Sequence, residues 1–585
     1  MSFLPVLVLQ GQAGRLFSPL AYTKTFAMAA SALLSITVVP ALVVLVMKGR
    51  IRPERNHPVS RFLIAVYRPV IRFTLNYRWL VLAMAAILLA ITYLPLSRTG
   101  SEFMPPLYEG DLLYMPTTPP GMSVDKAREL LQQTDRIIAT FPEVELVFGK
   151  AGRAATATDP APLTMLETTI LLKPRDQWRP GLTPDMLIDS LDAAVQFPGL
   201  TNSWTMPIRT RIDMLATGIK TPVGIKIMGP DLDSLNSIAS RIEGMVKEMP
   251  GIRSVYGERI TGGNYLDIEL DRFKASAFGL TPGDVNSTLM TAIGGMTVVE
   301  NIEGRERYGI SIRYPRELRD SPEAIARTLI AAPDGRRVPL GQVASIGFSK
   351  GAAMIKSENA RPTAWVFVDL KGIDVGSFVE SARQQVAAQV NLPPGYSLVW
   401  SGQYQSMQEV AEKLTVIVPL ALFVILVLLF LHFRSLSDTL IVMLSLPFSL
   451  VGGVWLMYLL GFNSSVAVYI GFIALAGLAA ETGVVMIVYL NSSRKRFETE
   501  GRLNSNEDLR AAVTEGAVER VRPKIMTVAT TILALLPVML GHGIGSEVMQ
   551  RIAAPMVGGM ISSAALTLIV VPALYFLVHR VNSRD

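Results

Sequence analysis

Cysteine is absent from all 585 residues, which excludes a disulfide framework, a thiolate zinc site and a cysteine nucleophile. Histidine is nearly as scarce. The four are His57, His432, His542 and His579, so residues 98–412 hold none and cannot build a histidine-rich Zn or Ni site. No GxxxxGK[ST] loop occurs, which leaves an ATP-driven mechanism without support. Aromatic residues make up only 8%, few for the apolar pocket that a bulky organic substrate needs. Lys and Arg exceed Asp and Glu only by 55 to 48, an excess that does not imply nucleic-acid binding.

Half of the residues are hydrophobic and 18% are charged, too apolar for an ordinary soluble chain and too charged for one lying wholly in a bilayer. A mixed architecture follows. A bilayer core needs about 20 apolar helical residues, and seven stretches qualify: 23–47, 78–97, 413–433, 438–461, 465–490, 525–541 and 551–578. The segment 48–78 carries Lys48, Arg50, Arg52, Arg55, Arg61, Arg68, Arg72 and Arg78 against the single acid Glu54, which marks it as cytoplasmic. Alternation then puts 98–412 outside, with Arg434, the run Arg494, Lys495, Arg496, and Arg580 and Arg584 inside. On that topology Met1 to Tyr22 lies outside with no preceding span to carry it there, so an upstream segment is expected. The opening Phe3-Leu-Pro-Val-Leu-Val-Leu suits the outer end of an earlier span; an ordinary amphipathic N-terminus is the alternative.

Three regions are expected: 1–97, with the end of a preceding span, one transmembrane helix, a basic cytoplasmic loop and a second transmembrane helix; 98–412, an α+β insertion; and 413–585, a five-helix bundle. Within 98–412, helix-period runs end at proline and pass into β-rich runs at Phe141-Pro142, Met249-Pro250 and Leu392-Pro393-Pro394. Leu235, Ile238, Ile242 and Met245 form the buried stripe of one helix, and Thr183-Pro184 and Thr281-Pro282 each read as an N-cap followed by proline at the first helical position. The pattern predicts ferredoxin-like subdomains with an insertion near 270–350.

Residues 98–412 contain fourteen methionines. Thioether sulfur is a soft neutral ligand for Cu(I) and Ag(I), although packing is the commoner use of any single methionine. Glu481 lies inside the apolar run Ile470 to Met486, where a carboxylate costs about 2.5–3.5 kcal/mol and is expected to have a partner. Lys524, opening the 525–541 span, is the available cation. The two read as a proton-handling pair; the alternatives are a structural ion pair for Glu481 and an interfacial snorkelling lysine for Lys524. Small residues at Gly452-Gly453, Gly477 and Gly558-Gly559 permit close helix packing.

Five stretches carry a more specific signal: Gly14-Arg-Leu-Phe-Ser-Pro-Leu-Ala-Tyr-Thr-Lys-Thr, Arg211-Ile-Asp-Met-Leu-Ala-Thr-Gly-Ile-Lys-Thr-Pro, Glu358-Asn-Ala-Arg-Pro, Val521-Arg-Pro-Lys and Gly545-Ser-Glu-Val-Met-Gln-Arg-Ile-Ala-Ala-Pro-Met. In these, along its whole length, the chain resembles the heavy-metal-efflux branch of the resistance-nodulation-division (RND) superfamily, specifically the copper/silver exporters of the Cus and Sil type. Members are about twice as long, with two similar halves of six spans and one large periplasmic loop each; the resemblance is to the second half and the last span of the first.

The resemblance implies a polytopic helical bundle with a large periplasmic α+β insertion. It also implies a homotrimer joined to a periplasmic adaptor and an outer-membrane channel, and export of Cu(I) or Ag(I) against proton influx across the inner membrane. It implies no cofactor beyond the transported ion. It places a three-methionine site on Met115, Met165 and Met214, with Glu167, Arg211 and Lys220 beside it to control cleft opening. Glu481 and Lys524 become members of a proton relay, and Met28 and Met549 members of an intramembrane methionine path. Two departures stand out: the partner expected for Met28 corresponds to about Val43, and the family's aspartate of the fourth span has no counterpart in this chain. The rival readings are RND export of divalent metals or organic compounds, and a non-transporting membrane scaffold or secretion accessory.

Overall fold

The computed structural model describes residues 4–9, 11–46, 58–105, 107–152, 162–541 and 543–580. Phe3, Lys48, Arg50, Arg52, Glu54, Arg55, His57, His542 and Arg584 lie outside them. Among the described residues seven helices are long and apolar enough to cross a bilayer: Ala13–Val46, Arg78–Arg98, Gln403–Phe433, Leu436–Leu459, Val466–Thr499, Asn506–Leu540 and Ser546–Val578.

Several helices run well past their apolar cores, because caps rather than hydropathy set their ends. The helix containing 525–541 begins at Asn506, where Ser505 and Asp508 form a reciprocal capping box. The 465–490 span continues to Thr499 and carries Arg494, Lys495 and Arg496 on its last turns. Of the basic stretch 48–78, the described part is not an irregular loop but the amphipathic helix Pro58–Asn76. Tyr67, Ile71, Thr74 and Leu75, at helical spacing, are buried against the bundle, while Arg61, Arg68 and Arg72 are exposed. The Tyr67 hydroxyl anchors this helix by donating to the Leu568 carbonyl at 2.6 Å.

The helices Leu436–Leu459 and Ser546–Val578 meet backbone to backbone. A Cβ at Gly452 would lie 2.1 Å from the Gly558 carbonyl oxygen, and one at Gly558 would lie 2.2 Å from that of Gly452. Small residues are therefore required on both sides of this crossing. By contrast, the helix Gly11–Val46 packs only through its first turns, by Ala13, Phe17 and Ala21, and is largely exposed from Tyr22 onward.

Outside the bundle, β1 (Leu112–Tyr114), β2 (Val144–Ala151), β3 (Leu166–Leu172) and β4 (Trp204–Thr205) form an antiparallel sheet in the order β2-β3-β1-β4. The helices Val124–Ala139 and Pro184–Ala194 connect β1 to β2 and β3 to β4, which is the split βαβ arrangement. β5 (Val223–Met228) and β6 (Ile252–Gly257) begin a second such unit. The chain then leaves it through β7 (Thr261–Leu270), the hairpin β8 (Met296–Glu303) and β9 (Glu306–Ile312), the short pair β10 (Leu329–Ala331) and β11 (Arg337–Pro339), and β12 (Ala344–Ala352), which pairs with β7. It returns with β13 (Lys356–Glu358), β14 (Arg361–Leu370) and β15 (Ser397–Gly402); β14 pairs with β5, β6 and β13, and β15 pairs with β5.

The second unit's core joins Val223, Ile225 and Ile227 to Leu235, Ile238 and Ile242 of the helix Leu232–Lys247 and to Phe378 and Val379 of the helix Val375–Gln389. On the former helix the fully buried residue of the last turn is Val246, with Met245 half-buried beside it. The hairpin β8–β9 is exposed on both faces.

Contacts at residues 100–103 fasten this block to the bundle. Ser101 bridges Ser464, and the Ser101 N–H donates to Asp374 at 2.7 Å, the residue that also caps the helix Val375–Gln389. Next to it, Glu102 and Arg551 form a largely buried ion pair at 3.1 Å, and Asn463 donates to the second Glu102 oxygen at 3.1 Å.

Candidate functional site

A cavity of about 600 Å3 opens between the two sheets. Thr117, Thr118, Met165, Met214 and Lys220 line it from the first unit and the segment that follows, and Tyr256, Glu258, Met354, Lys356, Trp365 and Phe367 from the second.

Strand pairing explains the grouping. After β1 the chain stays extended: the Met115 N–H donates to Ser203 O and the Thr117 N–H to Thr201 O, each at 2.9 Å. Residues two apart on such a segment share a face, and Thr117 forms a bridge with Met165. Met115, Thr117 and Met165 thus project to one side although fifty residues separate the second methionine from the first. Met214 comes from the helix Pro207–Thr217, whose N-cap residue, Met206, has no side chain able to accept the free N–H groups. Glu109 supplies the acceptor: its two oxygens take the N–H groups of Ile208 and Arg209, each at 2.7 Å. At the other end Gly218 sits at φ 78°, with Trp365 so close that a Cβ would lie 2.6 Å from its ring. That glycine lets the Met214 helix end against the opposite wall.

The three methionines are not equally placed. Met165 and Met214 are half-buried on the cavity wall, whereas Met115 is 1% exposed and does not reach the surface of the cavity. Lys220 bridges the layers, since its ammonium donates to the Met115 carbonyl at 2.9 Å and to the Thr117 hydroxyl, and lies 5.7 Å from the centre of the Phe367 ring. Burial, reinforced by the ammonium of Lys356, pushes the Lys220 pKa down to about 7 against the opposing pull of Glu258 and Asp369. Lys356 is paired with Glu258 and lies 3.9 Å from the Trp365 ring centre. The second Glu258 oxygen accepts the Trp365 N–H at 3.1 Å, so both carboxylate oxygens are engaged. No cluster of three His, Asp or Glu able to hold a metal ion occurs among the described residues. Thioethers are the soft donors left at the cavity.

Of the other expected site residues, Lys220 alone lines the cavity. Glu167 pairs with Lys150 across β2 and β3 at 3.2 Å, and Arg211 is exposed on the Met214 helix; neither is part of the lining. Glu109, Glu258, Met354 and Lys356 were not singled out from the sequence. Only Glu109 left a trace there, in a helix opening on Met206-Pro207 without a capping side chain.

In the bundle, Lys524 is 1% exposed and its Nζ has no hydrogen-bond partner among the described residues. Glu481 is exposed on the helix Val466–Thr499; it and Arg520 are the charges that act on Lys524, with no direct hydrogen bond between Glu481 and Lys524. Met28 and Met549 are exposed on two different helices, as is Val43 on the Met28 helix.

Among curated proteins, the chain is 48% identical over 591 residues to the cation efflux system protein CusA of Escherichia coli (strain K12), which covers 100% of this chain and 56% of that protein. It is 48% identical to the putative cation efflux system protein SilA of Salmonella typhimurium, over 99% of this chain and 55% of the relative. Identity to the cobalt-zinc-cadmium resistance protein CzcA of Cupriavidus metallidurans is 33%. The chain thus spans about half the length of the relatives it matches. A crystal structure of a heavy metal efflux pump superposes with a TM-score of 0.87 at 29% identity, covering 99% of this chain and 56% of that one. A sequence model of one transporter family matches residues 1–579 without leaving out either the bundle or the block above it, and the chain belongs to that family, the AcrB/AcrD/AcrF family.

Proposed function

We propose that this chain forms the C-terminal part of a proton-driven exporter of monovalent soft metal ions, Cu(I) or Ag(I). It works in the cell inner membrane, with residues 98–412 in the periplasm. The observation that carries this reading is the cavity in which Met165 and Met214 present thioethers, Met115 waits behind them and both oxygens of the lining acid Glu258 are engaged. Higher identity to CusA and SilA than to CzcA agrees with a soft monovalent cargo.

The cavity described above is a closed state. Lys220 holds a positive charge, when protonated, beside the sulfurs and ties down the Met115 backbone. Opening the cleft withdraws that ammonium, exposes Met115 and lets three thioethers take the ion; closing reverses this, a population shift between two states. Glu481 and Lys524 supply the proton-sensitive group in the bundle. The Glu102–Arg551 pair and the Ser101–Ser464 bridge are the physical links through which a helix shift reaches the block. The hairpin β8–β9 exposes Val298, Val299, Ile302, Ile310 and Ile312, apolar surface that a homotrimer would cover. A periplasmic adaptor and an outer-membrane channel complete the exporter.

Metal efflux from cells carrying the full-length protein tests pump against scaffold. Glu481→Gln removes the titratable proton and nearly preserves size. Loss of Ag(I) tolerance with unchanged protein level supports the pump, and wild-type tolerance assigns Glu481 to packing.

A further inference from the structure

Among the described residues Met354 is the one remaining methionine of the cavity wall, and it comes from the other side. Met165 and Met214 belong to the first unit and the helix after it; Met354 lies on the irregular stretch between β12 and β13, in the second. That stretch is held in place. The Ala353 N–H donates to Ile260 O at 3.0 Å, Ala353 is pressed against β7 so closely that a Cβ on Gly263 would lie 2.9 Å from its Cα, and Lys356 on the far side is clamped to Glu258. The Met354 side chain itself is 39% exposed. It is thus an unbranched, flexible thioether on a fixed backbone, open to solvent and lining the same space as two other thioethers. An apolar side chain exposed to that degree is ordinary; what sets Met354 apart is its place on a fixed backbone, lining one cavity with two other thioethers.

We propose that Met354 is a ligand of the transported ion, the thioether that meets it at the cavity mouth and then, with Met165 and Met214, holds it between the two walls. The inference rests on the reading of this cavity as a soft-metal site. Met115, sealed below, joins only when the cleft opens and Lys220 withdraws.

The test is residue-resolved protection in the full chain in detergent. Methionine oxidation by tert-butyl hydroperoxide is followed by mass spectrometry, with and without Ag(I) as the nitrate in chloride-free buffer. Coordinated sulfur is withheld from the oxidant, so Met354, Met165 and Met214 are expected to slow together. Met186 and Met290, 51% and 65% exposed and outside the cavity, are expected to be unchanged. Met354→Leu preserves volume at an exposed position and is expected to weaken Ag(I) binding at least about tenfold, the scale already seen when groups merely supporting a metal ligand are removed. Protection of Met165 and Met214 with Met354 oxidising at its metal-free rate overturns this inference and leaves the cavity a metal site. Protection of Met354 without the other two overturns the bridge. Protection of none of the three removes the metal-site reading as well.

Discussion

Lys220 offers a sharp physical test, because its ammonium sits in a place where burial opposes its charge. Lowering a lysine from 10.5 to about 7 corresponds to roughly 5 kcal/mol at about 1.4 kcal/mol per pKa unit. In the unfolded chain the lysine keeps its proton up to about pH 10.5; in the folded chain it loses it near 7. Between these values the unfolded state binds more protons, so local stability rises with pH, by at most about 1.4 kcal/mol per pH unit. Below pH 7 both states are charged and the penalty is constant. Going from pH 7.5 to 9.5 should therefore stabilise the segments around Lys220 by about 2.5 kcal/mol. Hydrogen exchange of peptides covering 112–118 and 219–226, corrected for the intrinsic rate at each pH, reads that local opening free energy. Lys220→Met removes the titration while retaining most of the side-chain bulk, and its profile should be flat over the same range. Equal slopes in the two proteins would refute the buried, weakly basic ammonium.

Two further outcomes follow from named contacts. Glu109→Ala leaves the N–H groups of Ile208 and Arg209 without their acceptor, at a cost of about 0.5–2 kcal/mol, and should raise hydrogen exchange in 207–217 while leaving the distant helix Leu232–Lys247 unchanged. Gly558→Leu drives a side chain into the Gly452 carbonyl and should lower the thermal stability of the detergent-solubilised chain by about 1–3 kcal/mol or more, whereas Gly244→Leu, on the exposed face of the helix Leu232–Lys247 with open space around it, should leave the bundle untouched.

The spans were legible because a bilayer-length apolar run has few other uses, but their full lengths were not. The helix Asn506–Leu540 starts at a capping box nineteen residues before its apolar run, and a hydropathy scan does not weigh caps. The basic stretch read as a loop because its arginines dominate the composition; the stripe Tyr67, Ile71, Leu75 is the signal that marks the helix Pro58–Asn76. For the cavity, the methionine count identified a soft-donor supply but not its geometry. Met115 and Met165 share a face only through a bridge between Thr117 and Met165, a long-range pairing that spacing does not fix. Their selection came from resemblance. Met354 lies beyond both routes, since nothing local in Ala-Ala-Met-Ile places residue 354 in the same cavity as residue 165. The burial of Lys220 was equally silent: an isolated lysine before Thr221-Pro222 reads as a solvated charge, and only the fold puts Phe367 and Lys356 against it.

On the proposed function, the cavity between the two sheets binds a soft monovalent ion through methionine sulfur. Titration of the full chain in detergent with Ag(I), and separately with Zn(II), tests it, using the native protein and Met115→Leu, Met165→Leu and Met214→Leu, each of which keeps volume and removes sulfur. Tight Ag(I) binding, weakened in every variant, with no comparable Zn(II) binding, is the expected result. Ag(I) affinity indifferent to all three substitutions, or Zn(II) bound as tightly as Ag(I), would contradict it.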